Sequence, residues 1–359
     1  MSIWSTLRGH ANQREMFRRA VERGRLSHSY LFVGPDGIGK QLFARRMAQC
    51  LLCREPGDAL EACGECTSCR PFLAGNHPDF LFVGRPEGKR EILIEQMVGS
   101  LERRGQEGLC HDLSLRPLDG SRKVAIINDA DTITDPAGNA FLKNLEEPPE
   151  RAVLMLIAAN LDAVMPTIRS RCQLVRFAPL PRSDVEALLI EQGLVSSADE
   201  ARFAGSMCEG SLTIARQLLR PELRDLRSTL YSAFAQVNFS GPSVAKSLLE
   251  AIDSISADTP EQRVHANWLI RFAVEFYRSA LRCLSQTENP EAGNAGTIPE
   301  AHAWANAMSA RGESLELTGA LIERSIDATS HIEQNVGVAL SLETLLDDLA
   351  RMSRPAIAR

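Results

Sequence analysis

Gly34-Pro35-Asp36-Gly37-Ile38-Gly39-Lys40 is the stretch that decides the fold of this chain. It follows the apolar run Tyr30–Val33 and opens a segment with a helical pattern that continues to about Leu52. This is the G-x-x-x-x-G-K pattern in the strand–loop–helix context that it requires. Its glycines let backbone N–H groups turn towards phosphate oxygens, and its lysine can reach the outer phosphates. The stretch predicts a phosphate-binding loop, with a purely structural glycine turn as the weaker alternative.

Strands and helices alternate around this loop over residues 1–178. Further buried strands are predicted at Lys123–Ile127, Val153–Ala159 and Gln173–Phe177, and helices at residues 10–23, 92–103 and from Asp135 onward. We expect Asp135 to cap that last helix, with Pro136 at its first position and Pro148 stopping it. Alternation of this kind predicts an α/β fold, a parallel sheet with helices on its faces.

The strand pattern disappears after Pro179, which suggests three domains. Residues 1–178 form the α/β domain, residues 179–222 a small helical domain, and residues 223–359 an all-helical domain. The last of these contains a long helix around Glu261–Leu284, followed by a polar stretch, Gln286–Thr297, that we predict to be a surface loop. Trp268 and Phe272 on the long helix fit an internal core as well as an interface.

Three residues depart from a working ATP site. Gln41 follows Lys40, where a Ser or Thr hydroxyl normally binds Mg²⁺. The strand at Lys123–Ile127 ends in Asn128 and Asp129, where such sites have a metal-binding Asp and then a water-polarising acid. Asn is a weak ligand for a hard dication. The pattern predicts a degenerate nucleotide site in which Mg²⁺ binding is in doubt and nucleotide binding is left open; an ordinary strand end is the alternative.

A cluster of cysteines interrupts the α/β pattern between residues 50 and 77. Its spacing, C-x9-C-x2-C-x2-C, lets a short loop fold four thiols around one tetrahedral ion: Cys53, Cys63, Cys66 and Cys69. Four thiolates without an open position predict a structural Zn²⁺ site, with an iron–sulfur cluster as the rival. Cys50 lies one helical turn earlier and is either a core residue or an alternative ligand.

Charge and hydropathy restrict the classes of function. The net charge is −6, although residues 1–50 hold nine Arg or Lys and three acidic residues. An acidic chain argues against strong independent binding to nucleic acid, while the basic N-terminal part is either a phosphate-facing surface or a solvated helix face. No apolar run is long enough for a transmembrane helix, and no secretory signal begins the chain, so we expect a cytoplasmic protein.

Several segments in one order resemble a known family. They are His28-Ser29-Tyr30-Leu31-Phe32 before the phosphate loop, the four-cysteine insertion, Asn139–Pro149, and Ile168-Arg169-Ser170-Arg171-Cys172. This combination resembles the bacterial clamp-loader family, the gamma/tau and delta-prime subunits of DNA polymerase III, densely over residues 7–220 and thinly beyond. The resemblance implies an AAA+ domain with an inserted zinc module, a helical lid, and a C-terminal collar domain in a five-subunit ring with gamma/tau and delta subunits. That ring loads a sliding clamp onto primed DNA.

The resemblance also implies roles for individual residues. Arg171 corresponds to the arginine that projects into the ATP site of a neighbouring subunit, where a fixed positive charge stabilises the transferring phosphate. Asn160 occupies a sensor position at the end of a strand, where it could bond a phosphate or a water. Thr213 stands where ATP-using members carry an arginine, and Arg216, three residues on, is the nearest replacement.

Together these departures favour the delta-prime type, a non-hydrolysing stator that donates Arg171 to its neighbour within the polymerase holoenzyme. Catalysis of phosphoryl transfer is mostly positioning and electrostatics, so joint loss of these groups should abolish turnover. The alternative is an ATP-hydrolysing motor subunit of the gamma/tau type with unusual metal ligands. A third reading is a zinc-stabilised adaptor of the same fold unconnected to replication.

Overall fold

The structure is a computed structural model that describes residues 2–57, 60–86, 88–119, 122–285, 298–309, 314–334 and 336–354. The surface loop predicted at residues 286–297 lies outside the described residues. None of the described helices combines the length and the apolar character needed to cross a membrane. Contacts divide the chain into two compact units, Met1–Leu188 with Glu209–Ile214, and Leu189–Cys208 with Ala215–Arg359. Residues 179–222 contribute to both units, and the three-domain division remains a prediction.

A five-stranded parallel sheet forms the centre of the first unit. The strands are β1 (Ser29–Val33), β2 (Phe80–Val83), β3 (Lys123–Ile127), β4 (Ala152–Ala158) and β5 (Gln173–Arg176). They lie in the order β2-β3-β4-β1-β5 and all pairs are parallel. Every residue of β1, β3 and β4 is buried, which explains why these strands appear in the sequence as unbroken apolar runs. The predicted α/β fold with a parallel sheet is confirmed.

The first unit also contains the helices α1 (Ala11–Glu22), α2 (Lys40–Leu52), α3 (Cys69–Leu73), α4 (Ile94–Val98), α5 (Leu109–Ser114), α6 (Asp135–Glu146) and α7 (Pro166–Arg169). The next helix, α8 (Arg182–Glu191), begins in the first unit and ends in the second. The single helix predicted over residues 92–103 is wrong, because α4 ends before Gly99, whose φ of 84° breaks the helix. A short 3-10 turn, Leu101–Arg103, follows. The predicted cap of α6 is off by one residue, since Thr134 has the extended backbone of the N-cap and Asp135 is already helical.

The described residues of the second unit form helices joined by loops, without a strand. Its helices are α9 (Ala198–Met207), α10 (Leu212–Leu218), which begins in the first unit, α11 (Pro221–Phe234), α12 (Gly241–Ile255), α13 (Thr259–Ser285), α14 (Pro299–Ser309), α15 (Ser314–Glu333) and α16 (Val338–Ser353). The long helix α13 packs against α11, α14 and α15. Trp268 and Phe272 are buried, and the rings of Phe234 and Tyr277 stack with centroids 5.3 Å apart. The apolar side of α13 is therefore internal core.

Candidate functional site

The phosphate loop, residues 34–40, connects β1 to α2 at the carboxyl edge of the sheet. Ligands of open α/β sheets bind at this edge. Gly37 has a φ of 75°, in the left-handed region that favours glycine. The sequence therefore folds here as the G-x-x-x-x-G-K pattern requires, with a helix beginning at Lys40.

The ammonium group of Lys40 is turned back onto its own loop. Its side chain is only 4% exposed, and Nζ donates to the carbonyl oxygens of Gly34 at 2.5 Å and Pro35 at 2.7 Å. The carboxylate of Asp36 lies 3.6 Å from the same nitrogen. Burial lowers the pKa of Lys40, and Asp36 partly offsets this effect. A phosphate could gain this cation only by displacing these internal contacts.

The segment Gly210–Ile214, at the start of the predicted lid, packs directly on the phosphate loop. The backbone N–H of Leu212 donates to the carbonyl oxygen of Gly37 at 3.0 Å. A Cβ built on Gly37 would lie 2.3 Å from Ser211 Oγ and 2.6 Å from Thr213 Oγ1. Thr213, which stands where ATP-using members of the resembled family carry an arginine, thus lies beside the phosphate loop and brings a hydroxyl instead of a charge. The alternative cation, Arg216, donates to the side chain of Gln192.

Asn128 and Asp129 come directly after β3, as predicted, but the acid already has a partner. Asp129 adopts a left-handed backbone with φ 57°, and its Oδ2 lies 3.1 Å from Nε of Arg85. Asn128 is half-buried and donates its backbone N–H to Val83 at 2.7 Å. Gln41 is exposed on the first turn of α2. Arg85 was missed in the sequence because the strand that precedes it, β2, was missed.

Asp131 is the second residue that sequence reasoning overlooked. Its Oδ2 accepts the backbone N–H groups of Ala159 and Asn160, each at 3.0 Å, just after β4 ends. The side-chain oxygen of Asn160 in turn accepts the N–H of Asp162 at 2.9 Å. Asp131 therefore fixes the predicted sensor position through the backbone, while the Asn160 side chain takes part in a local turn.

His10 holds the phosphate loop from the side of helix α1. Its Nε2 lies 2.7 Å from the carbonyl oxygen of Ile38, and its ring meets that of Phe177 edge-on at 4.9 Å. Burial lowers the pKa of His10. An isolated histidine before a helix carries no sequence signal for such a contact.

The basic side chains of helix α1 are largely paired on the surface. Arg18 pairs with Glu15 at 2.6 Å and with Glu22 at 2.5 Å, and Arg19 pairs with Glu15 at 2.6 Å. Arg14 pairs with Glu61 at 3.1 Å. These contacts favour the solvated helix face over a dedicated phosphate-facing surface.

Arg171 lies after helix α7, and its guanidinium is held at the surface. Nη2 pairs with Glu146 Oε1 at 2.6 Å, and Nη1 donates to the carbonyl oxygen of Thr167 at 2.9 Å. About a third of the side chain, 34%, remains exposed. The neighbouring Arg169 instead lies 3.6 Å from Asp162.

The four predicted cysteine ligands come together in one cluster. All four sulfurs of Cys53, Cys63, Cys66 and Cys69 lie within 4.8 Å of one another. Cys53 Sγ is 3.6 Å from Cys63 Sγ and 4.0 Å from Cys66 Sγ, while Cys63 Sγ is 3.9 Å from Cys69 Sγ. A tetrahedral ion with Zn–S bonds of about 2.3 Å requires sulfurs about 3.8 Å apart. The cluster therefore has the dimensions of a four-thiolate metal site.

Backbone N–H groups also point at these sulfurs. The N–H of Cys66 donates to Cys63 Sγ at 3.3 Å, and that of Cys69 donates to Cys66 Sγ at 3.4 Å. Burial opposes ionisation of Cys66, but N–H donors, that of Cys69 foremost, outweigh it and lower the pKa of the thiol to about 6. At Cys66 these donors favour thiolate, the form that binds a metal, whereas burial raises the pKa of Cys53 and Cys69.

The cysteine module also holds the first residues of the chain. Ser2 Oγ donates to Glu61 at 2.6 Å, and the indole N–H of Trp4 donates to the carbonyl oxygen of Leu60 at 2.8 Å. The Sγ of Cys50 lies 3.0 Å from the same carbonyl, and Cys50 is buried. Cys50 is therefore a core residue beside the cluster and lies outside the four-sulfur group.

The parallel sheet, the glycine loop after an interior strand and its buried lysine define a P-loop α/β domain. Residues 9–181 match the family model described as "DNA polymerase III, delta subunit". The chain is 34% identical over 203 residues to DNA polymerase III subunit delta' of Pseudomonas aeruginosa. The aligned region covers 56% of this chain and 54% of that protein. It is 35% identical over 193 residues to the subunit delta' of Bacillus subtilis, with 54% of each chain covered.

Subunit gamma/tau of Mycobacterium bovis matches at 32% identity over 216 residues, or 56% of this chain and 34% of that one. The crystal structure of a DNA polymerase III gamma subunit-related protein from Thermotoga maritima superposes with a TM-score of 0.40 and 18% identity, covering 95% of this chain and 100% of that one. The chain thus spans about half the length of the delta' relatives. Its N-terminal half is similar to the delta' and gamma/tau subunits of DNA polymerase III, which confirms the resemblance.

Proposed function

We propose that this chain is a delta-prime-like stator that does not hydrolyse ATP itself. The observation that carries the proposal is the state of its own nucleotide site. Lys40 is bonded to the carbonyls of Gly34 and Pro35, and the acid Asp129 is paired with Arg85 at 3.1 Å. A carboxylate neutralised by a guanidinium is a poor base for an attacking water.

Metal placement is the second missing function of this site. A Mg²⁺ ion in a P-loop site needs the short hydroxyl after the lysine and a carboxylate at the strand end. This chain offers the exposed amide of Gln41 and the neutral Asn128 in those places. Because both ligands are replaced, loss of turnover follows even where a phosphate still binds.

Arg171 supplies the function that this chain retains. We infer that it acts as an arginine finger in the ATP site of a neighbouring gamma/tau subunit. About a third of its side chain is exposed, and an exposed ion pair such as that with Glu146 is weak, so a phosphate can take its place. An arginine finger contributes roughly 10³–10⁵ in rate.

Zn²⁺ is the metal that the cysteine cluster fits best. Four sulfurs at tetrahedral spacing, without a carboxylate or an open position, suit a structural ion. The ion would stabilise the module between α2 and β2. We propose no part for it in ATP turnover.

The partners follow from the family. We propose that the chain joins gamma/tau and delta subunits in a five-subunit ring in the cytoplasm, and that the ring loads a sliding clamp onto primed DNA. Matches to both subunit delta' and subunit gamma/tau support membership in such an assembly.

The deciding experiment measures ATP hydrolysis by the chain alone and by a complex reconstituted with gamma/tau, delta, clamp and primed DNA. The chain alone should be inert, and Arg171→Ala should lower the rate of the complex at least tenfold. Arg169→Ala is the matched control, since Arg169 is the last residue of α7, two positions before Arg171, but pairs with Asp162. A full rate with Arg171→Ala in an assembled complex would refute the finger.

The alternative function is an ATP-hydrolysing motor subunit of the gamma/tau type. The match to subunit gamma/tau at 32% identity favours keeping it. Steady hydrolysis by the isolated chain that is lost in Lys40→Ala would establish this alternative and exclude the stator.

A further inference from the structure

A cavity of about 620 Å³ opens at the amino-terminal edge of the sheet, opposite the phosphate loop. Residues that directly precede three strands line it: Ser27 and His28 before β1, Arg122 before β3, and Arg151 before β4. A strand rises about 3.3 Å per residue, so the length of β1 separates this cavity from the phosphate loop by roughly 15 Å. The two sites are therefore distinct.

Arg122 has one buried guanidinium nitrogen, Nε, without a hydrogen-bond acceptor among the described residues. Burial lowers the pKa of Arg122, and the positive charge of Arg151 adds to that effect. A buried guanidinium N–H without an acceptor, beside a like charge, is an unfavourable arrangement that an anion would relieve.

Arg151 is held in an unusual backbone conformation. Its φ is 63°, in the left-handed region where glycine is favoured, and its carbonyl oxygen accepts the N–H of Lys123 at 3.2 Å. A bulky side chain at such a φ carries a conformational cost, and conformations of this kind cluster at functional sites. The side chain of Arg151 is exposed at the rim of the cavity.

The rest of the lining selects the kind of ligand. Leu26, Pro149 and Val153 give the cavity apolar walls, and the exposed Glu150 adds one negative charge at the rim. A nucleic-acid surface would instead be an open basic track with stacking aromatic rings. A cavity of this size with apolar walls and a few convergent charges is typical of a small-molecule site.

We propose that this cavity binds a small molecule that carries a phosphoryl group. The phosphoryl oxygens accept from the guanidinium groups of Arg122 and Arg151, whose planar forks match phosphate oxygens. The remainder of the ligand lies against the apolar wall. This site goes beyond the proposed function and does not depend on it, because it involves neither the phosphate loop nor Arg171.

Titration calorimetry with inorganic pyrophosphate, up to millimolar concentration, tests the proposal on the full chain. Arg151→Gly removes one guanidinium while keeping the left-handed backbone, and Arg122→Gln removes the other. Lys40→Ala removes the cation of the phosphate loop, and Arg278→Ala, an exposed arginine on α13, is the matched control. Pyrophosphate should bind wild type, Lys40→Ala and Arg278→Ala alike, and at least tenfold more weakly to Arg151→Gly and Arg122→Gln.

Three results would overturn the proposal. These are no binding of pyrophosphate to wild type, loss of its binding in Lys40→Ala, or unchanged binding in Arg151→Gly. The result for Arg151→Gly alone decides the test if Arg122→Gln does not fold. A parallel anisotropy titration with single-stranded DNA at the same ionic strength separates the two sources of phosphate. DNA binding that is lost in Arg151→Gly, without pyrophosphate binding, would assign the cavity to nucleic acid instead.

Discussion

Substitution of Gly37 by alanine tests whether the segment Gly210–Ile214 is seated on the phosphate loop. The φ of 75° costs an alanine about 1–2 kcal/mol, because the left-handed region brings Cβ close to the backbone. The new Cβ would also lie 2.3 Å from Ser211 Oγ and 2.6 Å from Thr213 Oγ1, an overpacking worth about 1–3 kcal/mol. The expected loss of stability in the first unit is therefore about 2–5 kcal/mol.

Gly24→Ala is the matched control for this substitution. Gly24 has a similar φ of 61°, but a Cβ there meets nothing within 4 Å, so only the backbone cost of about 1–2 kcal/mol applies. The difference between the two variants isolates the contact with Ser211 and Thr213. Urea unfolding followed by hydrogen-exchange mass spectrometry of β1 and α2 peptides reports the first unit separately from the second. Equal losses in Gly37→Ala and Gly24→Ala would show that the segment does not rest on the loop.

Three further predictions follow from other contacts. Purified chain should contain one Zn²⁺ by elemental analysis, which Cys66→Ser should lose and Cys110→Ser should retain. At a free zinc concentration a hundredfold above the dissociation constant, loss of the ion should lower the free energy of unfolding by about 2.7 kcal/mol. Asp131→Ala should cost about 1–3 kcal/mol in urea unfolding by leaving two backbone N–H groups without their acceptor, and Asp131→Asn should cost less. Because burial lowers the pKa of His10 in the folded state below its ordinary 6.5, the free energy of unfolding should fall as pH drops below about 6.5. His10→Gln should weaken this pH dependence, as measured by urea midpoints at several pH values.

Each of these three predictions has a clear contrary result. Full zinc content in Cys66→Ser would place the metal elsewhere. Equal stability of wild type and Asp131→Ala would mean that water replaces the carboxylate. An unchanged pH dependence in His10→Gln would assign the acid sensitivity to other groups, such as His77, whose pKa burial also lowers.

The sequence was most informative where one physical cause dominated. β1, β3 and β4 are buried on both faces, so each is an unbroken apolar run that periodicity can recognise. The four cysteines could be grouped because a tetrahedral ion demands close spacing in the chain. The phosphate loop could be placed because its glycines and its lysine occur together between a strand and a helix.

The sequence was least informative where a feature depends on distant neighbours. β2 is an edge strand of the sheet and is mostly half-buried, and its four apolar residues, just after the cysteine module, were not predicted as a strand. The contact of Arg85 with Asp129 depends on β2 lying beside β3. Residues 209–214 belong to the first unit although the residues on both sides belong to the second. No local sequence pattern predicts this assignment.

The contacts of Ser2 and Trp4 with the cysteine module can form only some time after these two residues are synthesised. Ser2 finds its partner 59 residues later in the chain and Trp4 finds its partner 56 residues later. At translation rates of 5–20 residues per second, Ser2 and Trp4 are made roughly 3–12 s before these partners. Ser2 and Trp4 are thus made well before the residues that hold them, and how long they stay unprotected depends on how fast the cysteine module folds.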